Sequence, residues 1–367
     1  MTPARFVWHP AQDGLISHGR LFQGIPTIEC SVHGRIYAAW YGGMDGEKCG
    51  NYIIVEISDD NGMSWTDGWL VIHHDDPNVR CFDPCLWLDP VGKLWIFWAQ
   101  SEFGQFDGRV GVWCAYTQTA EAEKPMFSPA QRIANGIMLN KPTVLSNGTW
   151  LMPCSLWSQS FAKISGPGHP ELADEIGANV YASYDDGQSF ARIGNVQIEG
   201  CVFDEHSIIE LRDGRLWMLI RTVYGIGQAF SENKGKTWKQ IGPSGHSGPN
   251  SRFHIRRLLN GDLLLINHVN PTNVINTAPW KRRDNLMAMI SRDDGVSWVG
   301  GLMLDTRSDI SYPDSFESAD GHIYVIYDRE RKNAREILLS VFRPEDVLAG
   351  YCISKDAIMR KVIHHSI

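Results

Sequence analysis

The chain has 367 residues, and 43% of them are hydrophobic, which is enough to build a substantial core. Its formal net charge is −8, and this acidic balance argues against a nucleic-acid partner because phosphates require a basic surface. No run of about 18 apolar residues occurs, so neither a transmembrane helix nor a membrane partner is predicted. The N-terminal sequence lacks the apolar segment of a signal peptide, and a cytoplasmic location is therefore expected.

A glycine turn that leads directly into an apolar, aromatic strand occurs six times along the chain. The copies are HGRIYAAW around Gly34, VGKLWIFW around Gly92, NGTWLMPC around Gly148, DGRLWMLI around Gly214, NGDLLLIN around Gly261 and DGHIYVIY around Gly321. They are roughly 50 to 65 residues apart, which is the period of a propeller blade with long loops. Branched and aromatic residues alternate with polar ones throughout, as is typical of strands. The sequence therefore predicts six repeats built from β-strands.

A second turn follows the glycine turn in four of the six repeats. Its copies are SDDNGMSW from Ser58, SYDDGQSF from Ser183, SENKGKTW from Ser231 and SRDDGVSW from Ser291. Their distance from the glycine turns places them between the last two strands of a four-stranded blade. The Asp side chain can accept hydrogen bonds from its own turn, Gly takes the positive φ and the aromatic residue packs between sheets. We expect these turns to fasten the blades rather than to catalyse a reaction.

This S-x-D-x-G-x-[ST]-W turn resembles the Asp box, or BNR repeat, of the sialidase (neuraminidase) superfamily. One copy ends in Phe190 and another has Asn233 in place of the aspartate. The resemblance implies an all-β fold, a six-bladed β-propeller of four-stranded antiparallel blades in which residues 1–367 form a single domain. The C-terminal segment 343–367 has a helix-like composition, and we expect it to pack outside the ring.

Polar residues recur at the start of the first strand of each predicted blade, which is the strand that lines the axis of a propeller. These starts read FQGIP (22–26), RCFDP (80–84), NKPTV (140–144), FDEHS (203–207), RFHIRR (252–257) and SYPD (311–314). Functional residues concentrate where strand ends and loops converge. The pattern predicts one polar pocket on the axis.

The resemblance implies a retaining glycosidase mechanism, in which a tyrosine activated by a glutamate attacks the anomeric carbon and an aspartate is the acid/base. A phenol avoids the repulsion between a carboxylate nucleophile and an anionic sugar, but its ordinary pKa of about 10 requires an adjacent base. Tyr312 in SYPD resembles the nucleophile, and Glu205 in FDEHS resembles the activating glutamate. Asp45 in WYGGMDGEKCG lies where the family has its acid/base, with Glu47 as the nearby alternative.

The family also binds the substrate carboxylate with three arginines, whose planar forks match a carboxylate. Arg221 matches the second arginine and Arg283 matches the third. The first position differs, because the family has F/Y-R-I-P where this chain reads FQGIP, with Gly24 at the arginine position. Arg20 is close in sequence, but an offset of four residues does not by itself restore the geometry. The departure leaves the identity of the sugar open, and sialic acid in particular.

Further ionisable residues lie at the inner-strand starts, namely Arg80, Asp83, His206, His254 and Arg256. The leading prediction is an exo-acting glycoside hydrolase that removes a terminal, anionic sugar from a glycan, with these residues helping to bind the substrate and with no metal or organic cofactor. A competing interpretation is a polysaccharide lyase or a rhamnoside- or uronate-active hydrolase, in which Arg neutralises a carboxylate and His or Tyr removes the C5 proton. A third is a non-catalytic glycan-binding propeller.

Overall fold

The structure, a computed structural model, describes residues 1–10, 20–104, 106–157, 169–270 and 282–366. Within these ranges the chain forms six antiparallel β-sheets. The first three sheets contain β1 (Arg5–Trp8), β2 (Phe22–Cys30), β3 (Ile36–Gly43), β4 (Tyr52–Ser58) and β5 (Leu70–His73); β6 (Val79–Leu88), β7 (Leu94–Glu102), β8 (Gly111–Thr117) and β9 (Gln131–Asn135); and β10 (Thr143–Val144), β11 (Trp150–Leu156), β12 (Gly177–Ser183) and β13 (Ala191–Val196). The last three contain β14 (Ser207–Glu210), β15 (Leu216–Thr222), β16 (Gly225–Ser231) and β17 (Lys239–Ser247); β18 (His254–Arg257), β19 (Leu263–His268), β20 (Leu286–Ser291) and β21 (Val299–Asp305); and β22 (Ile310–Glu317), β23 (Ile323–Arg329), β24 (Glu336–Phe342) and β25 (Ile358–His365). The predicted all-β, six-bladed propeller is confirmed.

In blades two to six the strand order follows the sequence, and the first strand lies innermost; in the first blade the innermost strand is β2 and the order β2–β3–β4–β5 follows the sequence. The first blade has a fifth strand, because β1 pairs with β5 at the outer edge. The inner strand β2 packs against both β6 and β22, so the last blade meets the first and the ring closes. At this closure Thr27 Oγ1 donates a hydrogen bond to Asp314 Oδ2 over 2.7 Å.

The C-terminal segment differs from its helix-like prediction. Only Pro344–Ala349 forms a helix, α1, which ends at Gly350 with a φ of 80°. Residues Ile358–His365 instead form β25, the outer strand of the sixth blade. Half-buried and exposed residues alternate along much of this strand, which is the period of a strand with one face on a core. A short 3₁₀ helix at Pro170–Glu175 precedes β12 in the third blade.

Both kinds of recurrent turn occupy the places that the sequence predicts. The six glycine turns connect the first and second strands of their blades, and their glycines have φ values between 84° and 100°, the left-handed region that favours glycine. The second kind of turn connects third and fourth strands. In one, Asp60 Oδ1 accepts a hydrogen bond from the Ser64 amide over 2.8 Å. In another, Asn233 Oδ1 accepts one from the Thr237 amide over 2.9 Å, and Asn233 Nδ2 donates to Thr237 Oγ1 over 2.8 Å, so asparagine keeps both contacts of the turn.

The aromatic residue that ends each of these four turns packs between neighbouring blades. Trp65 lies against a buried cluster shared by the first and sixth blades, and Phe190 against one shared by the second and third. Trp238 and Trp298 do the same for the next two blade interfaces. Burial of a large apolar side chain contributes about 1.5–3 kcal/mol, so these residues hold adjacent sheets together.

Candidate active site

Four inner-strand regions direct a residue with positive φ into one cavity. These residues are Ile25 (φ 59°), Asp83 (φ 51°), Glu205 (φ 27°) and Tyr312 (φ 54°). Three of them precede a proline, and at each of those three the pairing with the second strand shifts register. Such a bulge re-aims a side chain out of the sheet pattern, and a non-glycine residue with positive φ costs roughly 1–3 kcal/mol. Four residues of the cavity lining therefore have a strained backbone.

Tyr312 and Glu205 form a buried hydrogen bond within the cavity. Tyr312 Oη donates to Glu205 Oε1 over 2.8 Å. Arg221 contacts both groups: its Nη1 donates to Tyr312 Oη over 3.0 Å and lies 2.7 Å from Glu205 Oε2. Burial, followed by the Glu205 carboxylate, raises the pKa of Tyr312 to about 12, so its phenol holds the proton at neutral pH. The structure thus brings together three predicted residues from the fourth and sixth blades.

Asn250 holds Arg221 and Arg283 side by side. Arg221 donates from Nε to Asn250 Oδ1 over 2.6 Å and from Nη2 to the Asn250 carbonyl over 3.0 Å. Arg283 Nη2 donates to the same carbonyl over 3.1 Å, and its guanidinium carbon lies 5.7 Å from the centre of the Tyr312 ring. Burial lowers the pKa of Arg283. Since no carboxylate in the described ranges pairs with Arg283, its charge is available to an anionic ligand.

A further arginine, Arg331, occupies the space beside Gly24. A Cβ atom on Gly24 would lie 2.7 Å from both Cγ and Cδ of Arg331. The Arg331 guanidinium carbon lies 4.4 Å from the centre of the Tyr312 ring. Its Nε donates to Asp328 Oδ2 over 2.9 Å, and its Nη2 donates to Ser311 Oγ over 2.8 Å. A guanidinium from the loop after β23, in the sixth blade, therefore lies beside Gly24.

Arg80 and Asp83 form the second blade's part of the cavity. Arg80 is 2% exposed and Asp83 is 3% exposed. The Arg80 guanidinium lies 3.8 Å from the centre of the Phe82 ring, and its Nε has no hydrogen-bond partner in the described part of the chain. Burial raises the pKa of Asp83 to about 8. At neutral pH the cavity therefore contains a protonated aspartate in addition to the contact between Glu205 and Arg221.

An arc of aromatic rings forms the remaining wall. Successive ring centres along the arc are separated by 6.1 Å (Tyr41–Phe82), 6.0 Å (Phe82–Phe106), 5.2 Å (Phe106–Trp157) and 4.7 Å (Trp157–Phe203). The cavity has a volume of about 290 Å³, at the small end of the range for small-molecule sites. It can hold a small ligand with an apolar face against the aromatic arc and an anionic group on the arginines.

The structure does not bring Asp45 into the cavity. Asp45 is exposed and forms an ion pair with Lys48. Its alternative, Glu47, does line the cavity, where Oε1 lies 3.2 Å from Nη1 of Arg331. The Glu47 side chain is 45% exposed, so it lies at the rim of the cavity. The loop after β3 thus contributes its second acidic residue to the site rather than its first.

His206, His254 and Arg256 also lie outside this cavity. His206 is adjacent to Glu205 and faces away from the cavity, with Nε2 2.8 Å from the Asn179 carbonyl oxygen. His254 and Arg256 line a second cavity of about 430 Å³, formed by the opposite ends of the inner strands. Burial lowers the pKa of His206 to about 4 and that of His254 to about 3. Both imidazoles are therefore neutral at pH 7.

Arg331, Asn250 and the aromatic arc were not predicted from the sequence. Arg331 and Asn250 lie outside the starts of the inner strands, so no repeated position marks them. Within the aromatic arc, Phe82 and Phe203 adjoin predicted site residues in RCFDP and FDEHS, and that adjacency was an available signal. Phe106 and Trp157 lie in loops after the second strands of their blades, where no repeated pattern exists.

The described residues contain no group of three or more His, Cys, Asp or Glu side chains that could hold a metal ion. In the same ranges, no helix has the length and apolarity needed to cross a membrane.

Solved structures of glycoside hydrolases share this fold. A Hadza microbial sialidase, Hz136, is 15% identical, with a TM-score of 0.69 over 94% of this chain and 69% of that chain. The intramolecular trans-sialidase of Ruminococcus gnavus is 14% identical, with a TM-score of 0.65 over 91% and 98% of the two chains. An α-L-arabinanase of Penicillium chrysogenum is 12% identical, with a TM-score of 0.59 over 91% and 99%. At these identities the likeness establishes the fold alone.

The sequence matches none of the curated proteins. The family profile described as a BNR repeat-like domain matches residues 34–325. The match begins at the first glycine turn and ends within β23, and so includes most of the strands that form the propeller. The chain therefore belongs to the BNR repeat-like domain family.

Proposed function

We propose that the chain is a retaining, exo-acting glycoside hydrolase that removes a terminal anionic sugar from a glycan. The observation that carries this proposal is the buried hydrogen bond from Tyr312 Oη to Glu205 Oε1, with three guanidiniums around the tyrosine. A tyrosine acts as a nucleophile only when an adjacent base removes its proton. Glu205 is at the required distance, 2.8 Å.

Tyr312, Glu205 and Arg221 together perform the covalent step. As Tyr312 Oη bonds to the anomeric carbon, Glu205 accepts the phenolic proton. The high pKa of the buried phenol, about 12, means that this transfer must accompany the attack. Arg221 Nη1, 3.0 Å from Tyr312 Oη, stabilises the negative charge that develops on the oxygen. Release of the sugar by water then returns the proton from Glu205 to Tyr312.

The arginines favour an anionic substrate. Arg221, Arg283 and Arg331 surround Tyr312 and form the cationic side of the cavity. A guanidinium binds a carboxylate through two parallel hydrogen bonds. A neutral nucleophile suits this substrate because it does not repel the carboxylate. The small volume of the cavity favours the end unit of a glycan over an internal one.

A lyase that uses a histidine base has less support. No histidine in the described ranges lines this cavity, and His254 is hydrogen-bonded to Ser315 Oγ in the second cavity. A non-catalytic glycan-binding propeller would not require a base hydrogen-bonded to a buried phenol. Prolonged incubation with the glycan distinguishes the two, because a binding protein leaves the glycan intact whereas a hydrolase cleaves it.

The test is glycoside cleavage by the native protein, Tyr312→Phe and a matched control. The substrates are 4-methylumbelliferyl glycosides of sialic acid, of a uronic acid and of arabinose. Tyr327→Phe is the control, since Tyr327 is also a buried tyrosine of the sixth blade that donates to a carboxylate, Asp305 Oδ2 over 3.2 Å, but it lies outside the cavity.

We expect turnover of an acidic glycoside only, with retained anomeric configuration in the first product observed by NMR. Tyr312→Phe should lower kcat by at least about 100-fold, the scale on which catalytic proton-transfer groups act, whereas Tyr327→Phe should keep the native kcat. Absence of cleavage across all three substrates, or native turnover by Tyr312→Phe, would refute the proposal.

A further inference from the structure

We propose that Asp83 is the acid/base of the reaction and that Arg80 is the positioning residue that stabilises its carboxylate. This inference rests on the proposed hydrolase function. It replaces the expectation from sequence, in which Asp45 had that role, and it assigns a purpose to two buried groups that the covalent step at Tyr312 does not use.

The first observation is the placement of Asp83. It lies at the same point of its inner strand as Tyr312, immediately before a proline and at a register shift, with φ of 51° against 54° for Tyr312. Both side chains line the same cavity. The propeller repeat that aims Tyr312 at the ligand therefore aims Asp83 at it from the second blade.

The second observation is that the Asp83 carboxyl has no hydrogen-bond or ion-pair partner in the described part of the chain, although the residue is 3% exposed. Other acidic groups at this end of the propeller are engaged: Glu205 with Tyr312 and Arg221, Glu47 with Arg331, and Asp45 with Lys48. Asp83 is the acidic residue of the cavity that remains available to the substrate.

The third observation is the neighbouring cation. Arg80 is 2% exposed and stacks on Phe82, and its guanidinium has neither a hydrogen bond nor an ion pair in the described ranges. An unpaired buried guanidinium is costly unless an anion approaches it. Arg80 interacts electrostatically with Asp83, so ionisation of Asp83 supplies that anion. Asp83 and Arg80 therefore become an anion and a cation that stabilise each other once Asp83 has given up its proton.

The resting protonation state agrees with this role. Burial raises the pKa of Asp83 to about 8; among the charged groups that face it, Arg80 and Arg331 lower the pKa, whereas Glu47 and Glu205 raise it. Asp83 therefore holds a proton at neutral pH. A general acid is most effective when its pKa lies near the working pH.

The proton balance of the two steps is complete. In the first, the bond from Tyr312 Oη to the anomeric carbon forms and the bond to the aglycone oxygen breaks. Glu205 takes the phenolic proton, and Asp83 gives its proton to the aglycone oxygen. In the second, water attacks the anomeric carbon, Asp83 takes the proton of the water, and Glu205 returns its proton to Tyr312 as that bond breaks. The sum is one glycoside and one water converted to one sugar and one alcohol.

The test compares Asp83→Asn on two glycosides of the acidic sugar that the native protein cleaves. An aryl glycoside has a leaving group that departs without protonation, whereas the matching alkyl glycoside requires an acid. We expect a loss of kcat/KM of roughly 100-fold or more on the alkyl glycoside and of less than about 10-fold on the aryl glycoside. Azide should accelerate the variant on the aryl glycoside and yield the glycosyl azide, since azide needs no base. Asp45→Asn and Glu47→Gln are the controls and should not show this dependence on the aglycone.

A second variant, Arg80→Met, tests whether Arg80 stabilises the Asp83 carboxylate and leaves the Asp83 side chain in place. Arg80 lowers the pKa of Asp83, so its loss should move the alkaline limb of kcat/KM on the alkyl glycoside to higher pH. Equal losses on both glycosides in Asp83→Asn, or an aglycone dependence in Glu47→Gln instead, would overturn the assignment, as would an unmoved alkaline limb in Arg80→Met. These outcomes differ from failure of the proposed function itself, in which the native protein cleaves neither glycoside.

Discussion

A single methyl group at Gly24 tests whether Arg331 takes the place of the arginine that sialidases carry on the first inner strand. Gly24 does not have a left-handed backbone, so alanine is conformationally acceptable there. The added Cβ would lie 2.7 Å from Cγ and Cδ of Arg331 and 2.8 Å from Asp328 Oδ2. Carbon atoms prefer separations of about 3.5–4.0 Å. The aliphatic part of Arg331 must therefore move by about 1 Å.

The contacts of Arg331 determine how much affinity Gly24→Ala should lose. Arg331 is anchored by Asp328 over 2.9 Å and by Ser311 over 2.8 Å, so the displacement moves the guanidinium that faces the substrate or breaks one of these hydrogen bonds. A hydrogen bond to a charged group contributes about 1.5–3 kcal/mol. This corresponds to roughly a 10- to 150-fold weaker affinity for a carboxylate ligand. Overpacking should also lower the free energy of unfolding by about 1–3 kcal/mol.

The assay measures by calorimetry the affinity of Gly24→Ala for the acidic sugar and, separately, for its carboxamide analogue. The carboxylate ligand should lose affinity by the stated factor, and the carboxamide should lose much less. Gly242→Ala is the matched control, because Gly242 is also outside the left-handed region and has no atom within 4 Å of its would-be Cβ. Native affinity of Gly24→Ala for the carboxylate ligand would refute the idea that Arg331 supplies the missing guanidinium.

Two further predictions concern the stability of the ring. Trp65→Ala removes the packing between the first and sixth blades and should lower the free energy of unfolding by about 2 kcal/mol in denaturant titrations, with unchanged kcat; a loss of kcat at native stability would contradict this. Burial raises the pKa of Glu56 from 4.5 to about 7, so the folded state keeps a proton that the unfolded state releases. The contribution of Glu56 is therefore complete below pH 4.5 and is lost as pH rises through 7, by up to about 3 kcal/mol. The difference in unfolding free energy between native protein and Glu56→Gln should fall over this range; a rise would contradict the assignment.

The fold was predictable because its signals are local. A glycine turn with φ near 85° needs only Gly92 or Gly148 and the flanking strands, and the Ser58-to-Trp65 turn satisfies its own amides. Each of the six repeats forms a sheet that must bury both faces, and closing the repeats into a ring packs every sheet between two neighbours. The C-terminal helix was mispredicted because β25 has no turn signal of its own. Its strand state depends on the exposed edge of β24, which only the assembled blade provides.

Part of the site was predictable from the inner-strand starts together with the resemblance to sialidases. Tyr312 lies at a register shift of its inner strand, and Glu205 comes shortly before the inner strand β14. The alternation of side chains turns the next residue, His206, away from the cavity. Arg331 could not be found in this way. It reaches Gly24 from 307 positions further along the chain only because the sixth blade closes on the first, and no local pattern records that contact.

The two ends of the propeller axis differ in how their cations are satisfied. At the second cavity, Lys141 Nζ donates to the carbonyls of Ile28 and Leu86 over 2.7 Å and 2.6 Å and lies 3.2 Å from both Glu29 and Asp314. At the first cavity, Arg80 and Arg283 have no carboxylate partner in the described ranges. A buried cation without an anion costs several kcal/mol, so the first cavity is destabilised until a ligand supplies the charge. On the proposed function, the carboxylate of an acidic sugar would pair with Arg283 on binding, whereas Arg80 would gain its carboxylate only when Asp83 releases its proton. We therefore expect proton transfer from Asp83 to depend on the bound substrate.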